Sequence, residues 1–257
     1  MRLLIDVGNS QVKYVLQGAT QQAPLSAVTY IDYQAFLTQL AQGKFCHVQE
    51  VIFANVHDQA IDDSIMQWGK ANQVAIRQVH STATAFGVTS CYQTAERLGV
   101  DRWLAMIGAK QRYPENNLLI IDAGTAMTID LLAANGQHLG GWIMPGVQTL
   151  FNGLLARTHK INASANTSPS LSFGKNSSDC LNNGNWAMTI GAIKEAIVES
   201  KRLLSLDKIL ITGGNGANIA KLLTDACQLE PKLIFHGLSC FQASLLVNKA
   251  KKNSNNE

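Results

Sequence analysis

Cysteine is scarce in this sequence, and the few cysteines are not paired. The five cysteines among 257 residues are an odd number, lie far apart and form no C-x-x-C motif. Disulfide scaffolds and zinc sites are built from cysteines at close, regular spacings. We therefore expect neither a disulfide framework nor a zinc site, and this cysteine usage is typical of a protein in the reducing cytoplasm.

Long apolar runs and strong charge are also missing. No apolar run approaches the roughly 18 residues of a membrane-spanning helix. An acid at position 6 interrupts the N-terminus before the apolar core of a signal peptide could form. The net charge is only +3, which is too small to indicate a nucleic-acid partner. We expect no membrane segment, no signal peptide and no nucleic-acid binding.

Several common catalytic motifs are absent. The six histidines show no H-x-x-x-H spacing, and the serine-hydrolase motif G-x-S-x-G does not occur. The stretch "FGKNS" resembles a phosphate-binding P-loop, but Lys175 is followed by Asn176 and the place of the upstream glycine is taken by Pro169. The sequence therefore favours neither a serine hydrolase of this type nor a P-loop enzyme.

One short device is present twice. "LLIDVGNS" near the N-terminus aligns with "LIIDAGTA" in the second half, so each apolar run ends on an acid and a glycine, Asp6 and Gly8 or Asp122 and Gly124. Each copy predicts a buried strand, a tight turn and a second strand. The apolar patterns predict strands at 2–7, 11–17, 24–30, 50–56, 73–79, 118–122, 126–132, 137–143, 208–214 and 232–236. They predict helices at 32–42, 58–70, from "DRWLAMIGAKQRY" onward, at 146–155, 179–204 and 238–248, and between the last two strands.

This order indicates a duplicated α/β protein with a cleft between its halves. The stretch "YPENN" at 113–117 is the best candidate boundary and divides the chain into domains at 1–115 and 116–257. Residues 156–178 are poor in large apolar side chains and predict a mobile loop. The basic cluster at 248–253 lies in a polar tail that we expect to be frayed.

The glycine turns suit phosphate binding. Gly8 and Gly124 let a ligand approach the backbone, and the exposed N–H groups of such a turn can form a nest for phosphate oxygens. The long stem of Lys13 can reach back to the first turn. Small polar donors follow the glycines, namely Asn9, Ser10 and Thr125.

The repeated acids suit cation binding. A carboxylate beside a phosphate repels it unless a cation lies between them, so Asp6 and Asp122 make sense as ligands, direct or through water, for hard cations. The second turn lacks the lysine, because Ile129 stands at the position that Lys13 has in the first turn. The alternative is that each acid only forms the turn of its hairpin.

Two other stretches carry candidate chemistry. In "ITGGNGAN", Gly213 and Gly214 would let a nucleotide lie against the backbone, but an ordinary strand-to-helix connection explains them equally well. In "ERLGVDRWLAMIGA", Asp101 at a helix N-terminus could accept the proton of a substrate hydroxyl, and Arg102 could bind a carboxylate or phosphoryl charge. The alternative is an ordinary helix N-terminal acid followed by a solvated arginine.

Four motifs in this order resemble the type III pantothenate kinases, a family in the superfamily of acetate kinases, sugar kinases and actin-like ATPases. They are D-x-G-N-[ST]-x-x-K at 6–13, G-x-D-R at 99–102, D-A-G-T-A at 122–126 and "GGWIMPG" at 140–146. The resemblance implies duplicated ribonuclease H-like domains and phosphorylation of the 4′-hydroxyl of pantothenate by ATP, the first step of coenzyme A biosynthesis.

The resemblance also implies a role for each matching residue. Asp101 is the general base, Asp122 binds K⁺ or NH₄⁺, and Asp6 is a candidate Mg²⁺ ligand. Serine stands at Ser177 where the family usually has a threonine, which keeps the hydroxyl. ATP contacts are implied for Asp6, Val7, Gly8, Asn9, Ser10, Gln11, Val12, Lys13 and Thr125. Pantothenate contacts are implied for Tyr92, Gly99, Val100, Asp101, Arg102 and Ser177.

The resemblance implies a homodimer with the active site near the subunit interface, which gives the 156–178 loop and the Trp142 region a partner. Two alternatives stay open. One is a kinase for another small alcohol, or a phosphatase, and the other is a regulatory accessory factor of the same fold. Intact Asp6, Lys13, Asp101 and Asp122 favour an enzyme, since a pure binding module has no need of all four.

Overall fold

The computed structural model describes residues 1–158, 161–166 and 168–243 and is an α/β protein. Its strands are β1 Arg2–Val7, β2 Val12–Gln17, β3 Thr29–Ile31, β4 Glu50–Asn55, β5 Ala75–Gln78, β6 Thr84–Ala85, β7 Val88–Thr89, β8 Leu118–Ala123, β9 Ala126–Leu132, β10 His138–Pro145, β11 Lys208–Thr212 and β12 Gln228–Leu229. Its α-helices are α1 Tyr33–Ala41, α2 Gln59–Ala71, α3 Val100–Arg112, α4 Val147–Leu155, α5 Ser177–Leu203, α6 Gly216–Leu222 and α7 Leu233–Ser239. A 3₁₀ helix at Ala95–Arg97 precedes α3.

The chain makes the same sheet twice. The first sheet has the order β3-β2-β1-β4-β5 and the second has the order β10-β9-β8-β11-β12. In each sheet an antiparallel hairpin is joined to parallel strands, because β1 pairs parallel to β4 and β8 pairs parallel to β11. The repeated order confirms the sequence prediction of a duplicated α/β protein.

Alternating side chains build the core of the first sheet. Every residue of β1 is buried, as expected for a central strand covered on both faces. Leu3, Ile5 and Val7 share one face and pack against α1 and α2 through Phe36 and Ile65. Asp6 therefore falls on the opposite face of β1, since successive side chains of a strand alternate.

The second sheet repeats this pattern. Leu119 and Ile121 of β8 pack with Ile129 of β9 against the long helix α5. The alternate positions, which include Asp122 and Asp130, lie on the other face, and α3 contacts both β8 and β9. The acid at the end of β8 and the helix that begins at residue 100 thus belong to the same face of this sheet.

The chain divides into two compact units. One is Met1–Val79 with residues 241–243, and the other is His80–Cys240. Residues 80–115, which include α3, belong to the second unit. The boundary between domains at 1–115 and 116–257 stays a prediction about where the two ATPase-like halves divide.

Two predicted strands differ from the structure. The strand predicted at 24–30 is reduced to β3, which pairs with β2, and to one isolated antiparallel bridge between Leu25 and Gln17 of β2. The strand predicted at 232–236 is wrong, because this stretch is the helix α7. A Cβ on Gly108 would lie 2.1 Å from the Leu233 carbonyl oxygen, and one on Gly237 would lie 2.1 Å from that of Leu104. These glycines let α3 and α7 pack backbone to backbone, which fixes the helix.

The end of the chain extends past the described residues. The helix predicted at 238–248 is not seen at 240–243, and its remainder lies outside the described residues, as does the basic cluster at 248–253. In the part of the chain that the structure describes, no helix is both long and apolar enough to span a membrane.

Candidate active site

The first acid–glycine turn closes the β1–β2 hairpin. The Gly8 N–H donates to the Gln11 carbonyl over 3.1 Å, which leaves Asn9 and Ser10 exposed at the tip. Asp6 is buried and lies directly across the hairpin from Lys13. The Lys13 Nζ donates to Asp6 Oδ2 over 3.0 Å. The lysine therefore does reach back toward the turn, and its charge neutralises the buried carboxylate.

Tyr33 supports this turn and was not predicted from the sequence. Its hydroxyl donates to the Gly8 carbonyl over 2.5 Å, and its ring stacks on that of His57 with 4.4 Å between centroids. Partial burial and the negative charge of Asp6 raise the pKa of Tyr33, while Lys13 acts in the opposite direction. The hydroxyl thus stays protonated and can hold the turn as a donor.

The second acid–glycine turn closes the β8–β9 hairpin with one residue less. The Gly124 N–H donates to the Ala126 carbonyl over 3.1 Å. Because the loop is shorter, the register places Thr128 opposite Asp122. The expectation that Ile129 takes the position of Lys13 is therefore wrong by one residue, although the replacement is still uncharged.

The turn around Thr125 is fixed from outside the hairpin. The Thr125 carbonyl accepts from the Gly146 N–H over 2.9 Å and from the Thr149 hydroxyl over 2.7 Å. A Cβ on Gly146 would lie 2.2 Å from the Gly124 carbonyl oxygen. The glycine that ends "GGWIMPG" is thus needed so that α4 can begin against this turn.

The third glycine turn packs on the second. Gly213 has a φ of +85°, and a Cβ there would lie 2.4 Å from Asp122 Oδ1. The Asn215 N–H also donates to the Ala123 carbonyl over 3.0 Å. Gly213 is therefore explained by its close contact with the hairpin. A Cβ on Gly214 would meet nothing within 4 Å, so the backbone remains approachable by a ligand only at the second glycine.

Asp101 occupies the first turn of α3, as the sequence predicts. Its Oδ1 accepts from the Arg102 N–H over 2.8 Å, and a Cβ on Gly99 would lie 2.6 Å from the same oxygen. The helix begins at Val100 with Gly99 as its N-cap residue. The glycine thus makes room for the carboxylate, and the partial positive charge of a helix N-terminus favours its ionised form.

Arg102 is not a solvated arginine, so the alternative reading of this residue is wrong. It is 3% exposed, and its Nε and Nη2 donate to the two oxygens of Asp130 over 3.0 and 2.5 Å. Burial alone would lower the pKa of Arg102, but the hydrogen bonds and charge of Asp130 outweigh it and raise the pKa. The side chain is thus a permanently charged, oriented donor.

Arg102 is also joined to Tyr92. Its Nη1 donates to the Tyr92 hydroxyl over 2.8 Å, and the guanidinium carbon lies 5.7 Å from the centre of the tyrosine ring. The structure therefore brings two of the implied pantothenate contacts into direct contact, and one of them, Arg102, follows Asp101 directly in the chain.

Asp130 and His138 complete this network and were missed in the sequence. Both are buried, and His138 Nε2 lies 2.9 Å from Asp130 Oδ1. Burial would raise the pKa of Asp130, but hydrogen bonds from His138 and Arg102 hold it below its ordinary value. The only sequence signal was an acid inside the apolar strand "AMTIDLL", a position where a charged residue is rare unless it is paired.

Ser177 is not part of this network. It is exposed and is the first residue of α5, where the Asn176 side chain caps the helix by accepting from the Asp179 N–H over 2.9 Å. Residues of the preceding loop are tied to the same helix, because Asn182 Nδ2 donates to the Ser164 carbonyl over 2.9 Å. The mobility predicted for 156–178 stays a prediction.

The candidate cation sites each rest on one acid. Among the described residues, no three His, Cys, Asp or Glu side chains are grouped as a metal site. Mg²⁺ often takes one carboxylate together with water and substrate phosphates, so Asp6 fits such a site. Asp122 lies near the end of β8, where it is paired in the register with Thr212 of β11.

The fold defines the class of protein. Two sheets of identical order, each with an acid–glycine hairpin, form the duplicated ribonuclease H-like fold of sugar kinases and actin-like ATPases. A solved structure described as a 2-dehydro-3-deoxygalactonokinase from Sinorhizobium meliloti matches with a TM-score of 0.57 and 14% identity, over 93% of this chain and 97% of that chain. One described as a Baf family transcriptional activator from Campylobacter jejuni matches with a TM-score of 0.60 and 24% identity, over 93% and 96%.

Sequence comparison gives the family. The model of the type III pantothenate kinase family matches residues 2–199. A type III pantothenate kinase from Colwellia psychrerythraea is 40% identical over 93% of this chain and 98% of its own length. One from Pseudoalteromonas translucida is 33% identical over 93% and 95%. The chain belongs to the type III pantothenate kinase family.

Proposed function

We propose that this chain transfers the γ-phosphoryl group of ATP to the 4′-hydroxyl of pantothenate, as the first step of coenzyme A biosynthesis. The observation that carries the proposal is the arrangement at the start of α3. There the half-buried Asp101 precedes Arg102 in the chain and accepts from its backbone N–H, and the Arg102 guanidinium is fixed by its hydrogen bonds to Asp130 and to the Tyr92 hydroxyl. These groups supply a proton acceptor and oriented donors for a hydroxylated carboxylate substrate.

In this reaction Asp101 accepts the proton of the 4′-hydroxyl. The hydroxyl oxygen forms a bond to the γ-phosphorus, the bond from that phosphorus to the bridging β–γ oxygen breaks, and ADP leaves with the electron pair. Phosphoryl transfer relies mainly on positioning and charge stabilisation, so a correctly placed carboxylate and fixed cations are the parts that it requires. Gly99, Val100, Arg102 and Tyr92 are proposed to position pantothenate, with Ser177 as a further hydroxyl.

The β1–β2 hairpin is proposed to bind the ATP phosphates. Its turn N–H groups and the ammonium of Lys13 suit phosphate oxygens, and Thr125 of the second hairpin is a further ATP contact. Mg²⁺ held at Asp6 would neutralise charge that develops on the transferred group, and K⁺ or NH₄⁺ is proposed at Asp122. Lys13 already neutralises Asp6, so metal binding there requires the lysine to shift toward the phosphates.

We also propose that the chain acts as a cytoplasmic homodimer. Large apolar side chains are exposed on β10, α4, α5 and the loop before α5, and such surfaces commonly mark protein interfaces. These residues are Leu139, Trp142, Ile143, Leu154, Phe173 and Met188.

The test is ADP production by the purified protein with ATP, Mg²⁺, K⁺ and pantothenate, with the product identified by mass spectrometry. We expect ADP and phosphopantothenate in equal amounts, and ADP formation that depends on pantothenate. Parallel assays with other small alcohols test the alternative substrate, and absence of turnover with all of them would favour the accessory-factor reading.

A further inference from the structure

The buried pair Asp130–His138 has no part in the proposed phosphoryl transfer. Asp130 belongs to β9 and His138 to β10, and the exposed fractions of the two residues are 2% and 0%. Burying a carboxylate is costly unless it is paired and hydrogen-bonded. This pair contacts Arg102, which is proposed to bind the substrate. Its costly burial therefore indicates a role in function as well as in folding.

The pair fixes the plane of the Arg102 guanidinium. Asp130 accepts from Nε and Nη2 of Arg102, a two-point contact that allows one orientation of the planar group. A Cβ on Gly141 would lie 2.5 Å from Asp130 Oδ1 and 2.7 Å from Arg102 Nη2. Gly141, the second glycine in "GGWIMPG", thus leaves the space in which the Asp130 carboxylate and the Arg102 guanidinium meet.

His138 fixes the carboxylate in turn. An ionised carboxylate only accepts hydrogen bonds, so the His138 Nε2 carries a proton and donates to Asp130 over 2.9 Å. On the other side of the ring, Nδ1 lies 3.4 Å from Cys91 Sγ. Cys91 is exposed overall, but partial burial of its thiol raises the pKa of that group, so the thiol is protonated and can donate to Nδ1. The imidazole is held at both nitrogens.

The contacts lead from His138 through Asp130 to Arg102, which is proposed to bind pantothenate. Asp130 and Tyr92 accept from three of the five N–H groups of Arg102, so a bound carboxylate would be held by the two that remain. Asp130 also neutralises Arg102, so the arginine acts on a substrate more through directed hydrogen bonds than through net charge. Its orientation then matters more than its charge.

We infer that Asp130 and His138 are positioning residues for pantothenate binding, which they support by holding Arg102 and, through it, Tyr92. This inference rests on the proposed function. His138 acts on the substrate only through Asp130 and Arg102, and neither residue takes part in the transfer step. Loss of the pair should therefore weaken pantothenate binding and leave ATP binding unchanged.

The experiment compares His138→Leu, which removes the donor to Asp130, with His138→Gln, which keeps an N–H donor. We expect the KM for pantothenate to rise about tenfold in His138→Leu, in line with the loss of one hydrogen bond to a charged group. We expect His138→Gln to restore most of this loss. Asp130→Asn should raise the same KM further, while the KM for ATP stays within about twofold of the wild type in all three, since the pair supports only the pantothenate contacts.

Matched controls come from outside the network. Asp62→Asn alters another buried carboxylate, which accepts from Asn55 and Gln78, and His236→Gln alters a histidine of α7 next to Arg112. These changes should lower stability without a selective effect on the KM for pantothenate. An equal rise in both KM values for His138→Leu, or an unchanged KM for pantothenate, overturns the inference.

A measurement on the wild type does not depend on the folding of any variant. The protein with ¹⁵N-labelled histidine is titrated with pantothenate, and the Nε2–H signal of His138 is followed by NMR. We expect the signal to shift with pantothenate and to stay in place with ADP alone, and a signal that pantothenate leaves unchanged overturns the inference. If the wild type shows no pantothenate turnover, the proposed function fails and this inference fails with it. If it turns over while the His138→Leu variant keeps the wild-type KM, only the positioning role fails.

Discussion

The two acid–glycine hairpins share a fold and differ in charge. In the first, the lysine opposite Asp6 forms an ion pair with it, while in the second the uncharged Thr128 stands opposite Asp122. The second hairpin instead packs on the bare backbone of Gly213. The first hairpin thus supplies a cation to its carboxylate from its own second strand, and the second hairpin has an uncharged residue at the matching position. This difference in charge is the basis for the separate roles proposed above, phosphate binding at the first turn and cation binding at the second.

Asp101 lies outside both hairpins. Its replacement therefore tests proton transfer from the substrate without changing the charges of either hairpin. Asp101→Asn keeps the shape of the side chain and removes its ability to accept a proton. We expect turnover to fall by about 10² to 10⁴-fold, the usual range for a general base, with little change in ATP binding. Steady-state kinetics and ATP titration measure this, and turnover equal to wild type would exclude Asp101 as the base.

Asp6 tests whether the first hairpin also holds a metal ion. Asp6→Ala should lower turnover at saturating pantothenate on the order of 10²-fold, because the variant would lose the Mg²⁺ whose positive charge stabilises the transferred phosphoryl group. Partial recovery is expected at high Mg²⁺. Activity is measured over a Mg²⁺ titration, and a Mg²⁺ dependence identical to that of the wild type would place the metal site elsewhere.

Lys13 and Thr128 occupy matching register positions and test the comparison directly. Lys13→Met should raise the KM for ATP about tenfold, because it removes a charge-assisted contact worth about 1.5–3 kcal/mol. Thr128→Val is the matched control in the second hairpin and should leave that KM nearly unchanged. If both variants weaken ATP binding equally, the proposed division of charge between the hairpins is wrong.

The smallest effect is expected at Tyr33, which supports the first turn without touching its charges. Tyr33→Phe removes the hydrogen bond to the Gly8 carbonyl and should lower the free energy of unfolding by about 1 kcal/mol. The KM for ATP should rise only a few-fold. Tyr30→Phe is the control, since Tyr30 is exposed on the neighbouring strand. Thermal unfolding and ATP titration measure the two effects. Equal stability and equal KM for ATP in Tyr33→Phe and Tyr30→Phe would contradict this role.

The sequence alone predicts most of the framework. Apolar runs that end on Asp6 or Asp122 mark the central strands, and the acid after Gly99 marks the start of α3. The run "KLIFHG" gave the wrong prediction of a strand at 232–236, because a short apolar segment suits a buried strand or a buried helix equally well. The segment is a helix that packs closely on α3 at Gly237, and this tertiary contact has no local signal in the sequence.

The candidate site is predicted less completely than the fold. The implied residues Tyr92, Asp101 and Arg102 are brought together, but Asp130 and His138 belong to no motif and meet Arg102 only through the register of two strands. Tyr33 reaches Gly8 from a helix about 25 residues away along the chain. Such partners depend on tertiary packing, so no spacing in the sequence reveals them.

The most direct test of the comparison is a titration of the wild-type enzyme with K⁺, NH₄⁺ and Na⁺, repeated for Asp122→Asn. If the second hairpin takes its cation from solution, K⁺ and NH₄⁺ should activate the wild type, Na⁺ should do little, and the variant should need far more K⁺. Full activity of the wild type in a buffer that contains only Na⁺ would contradict the account.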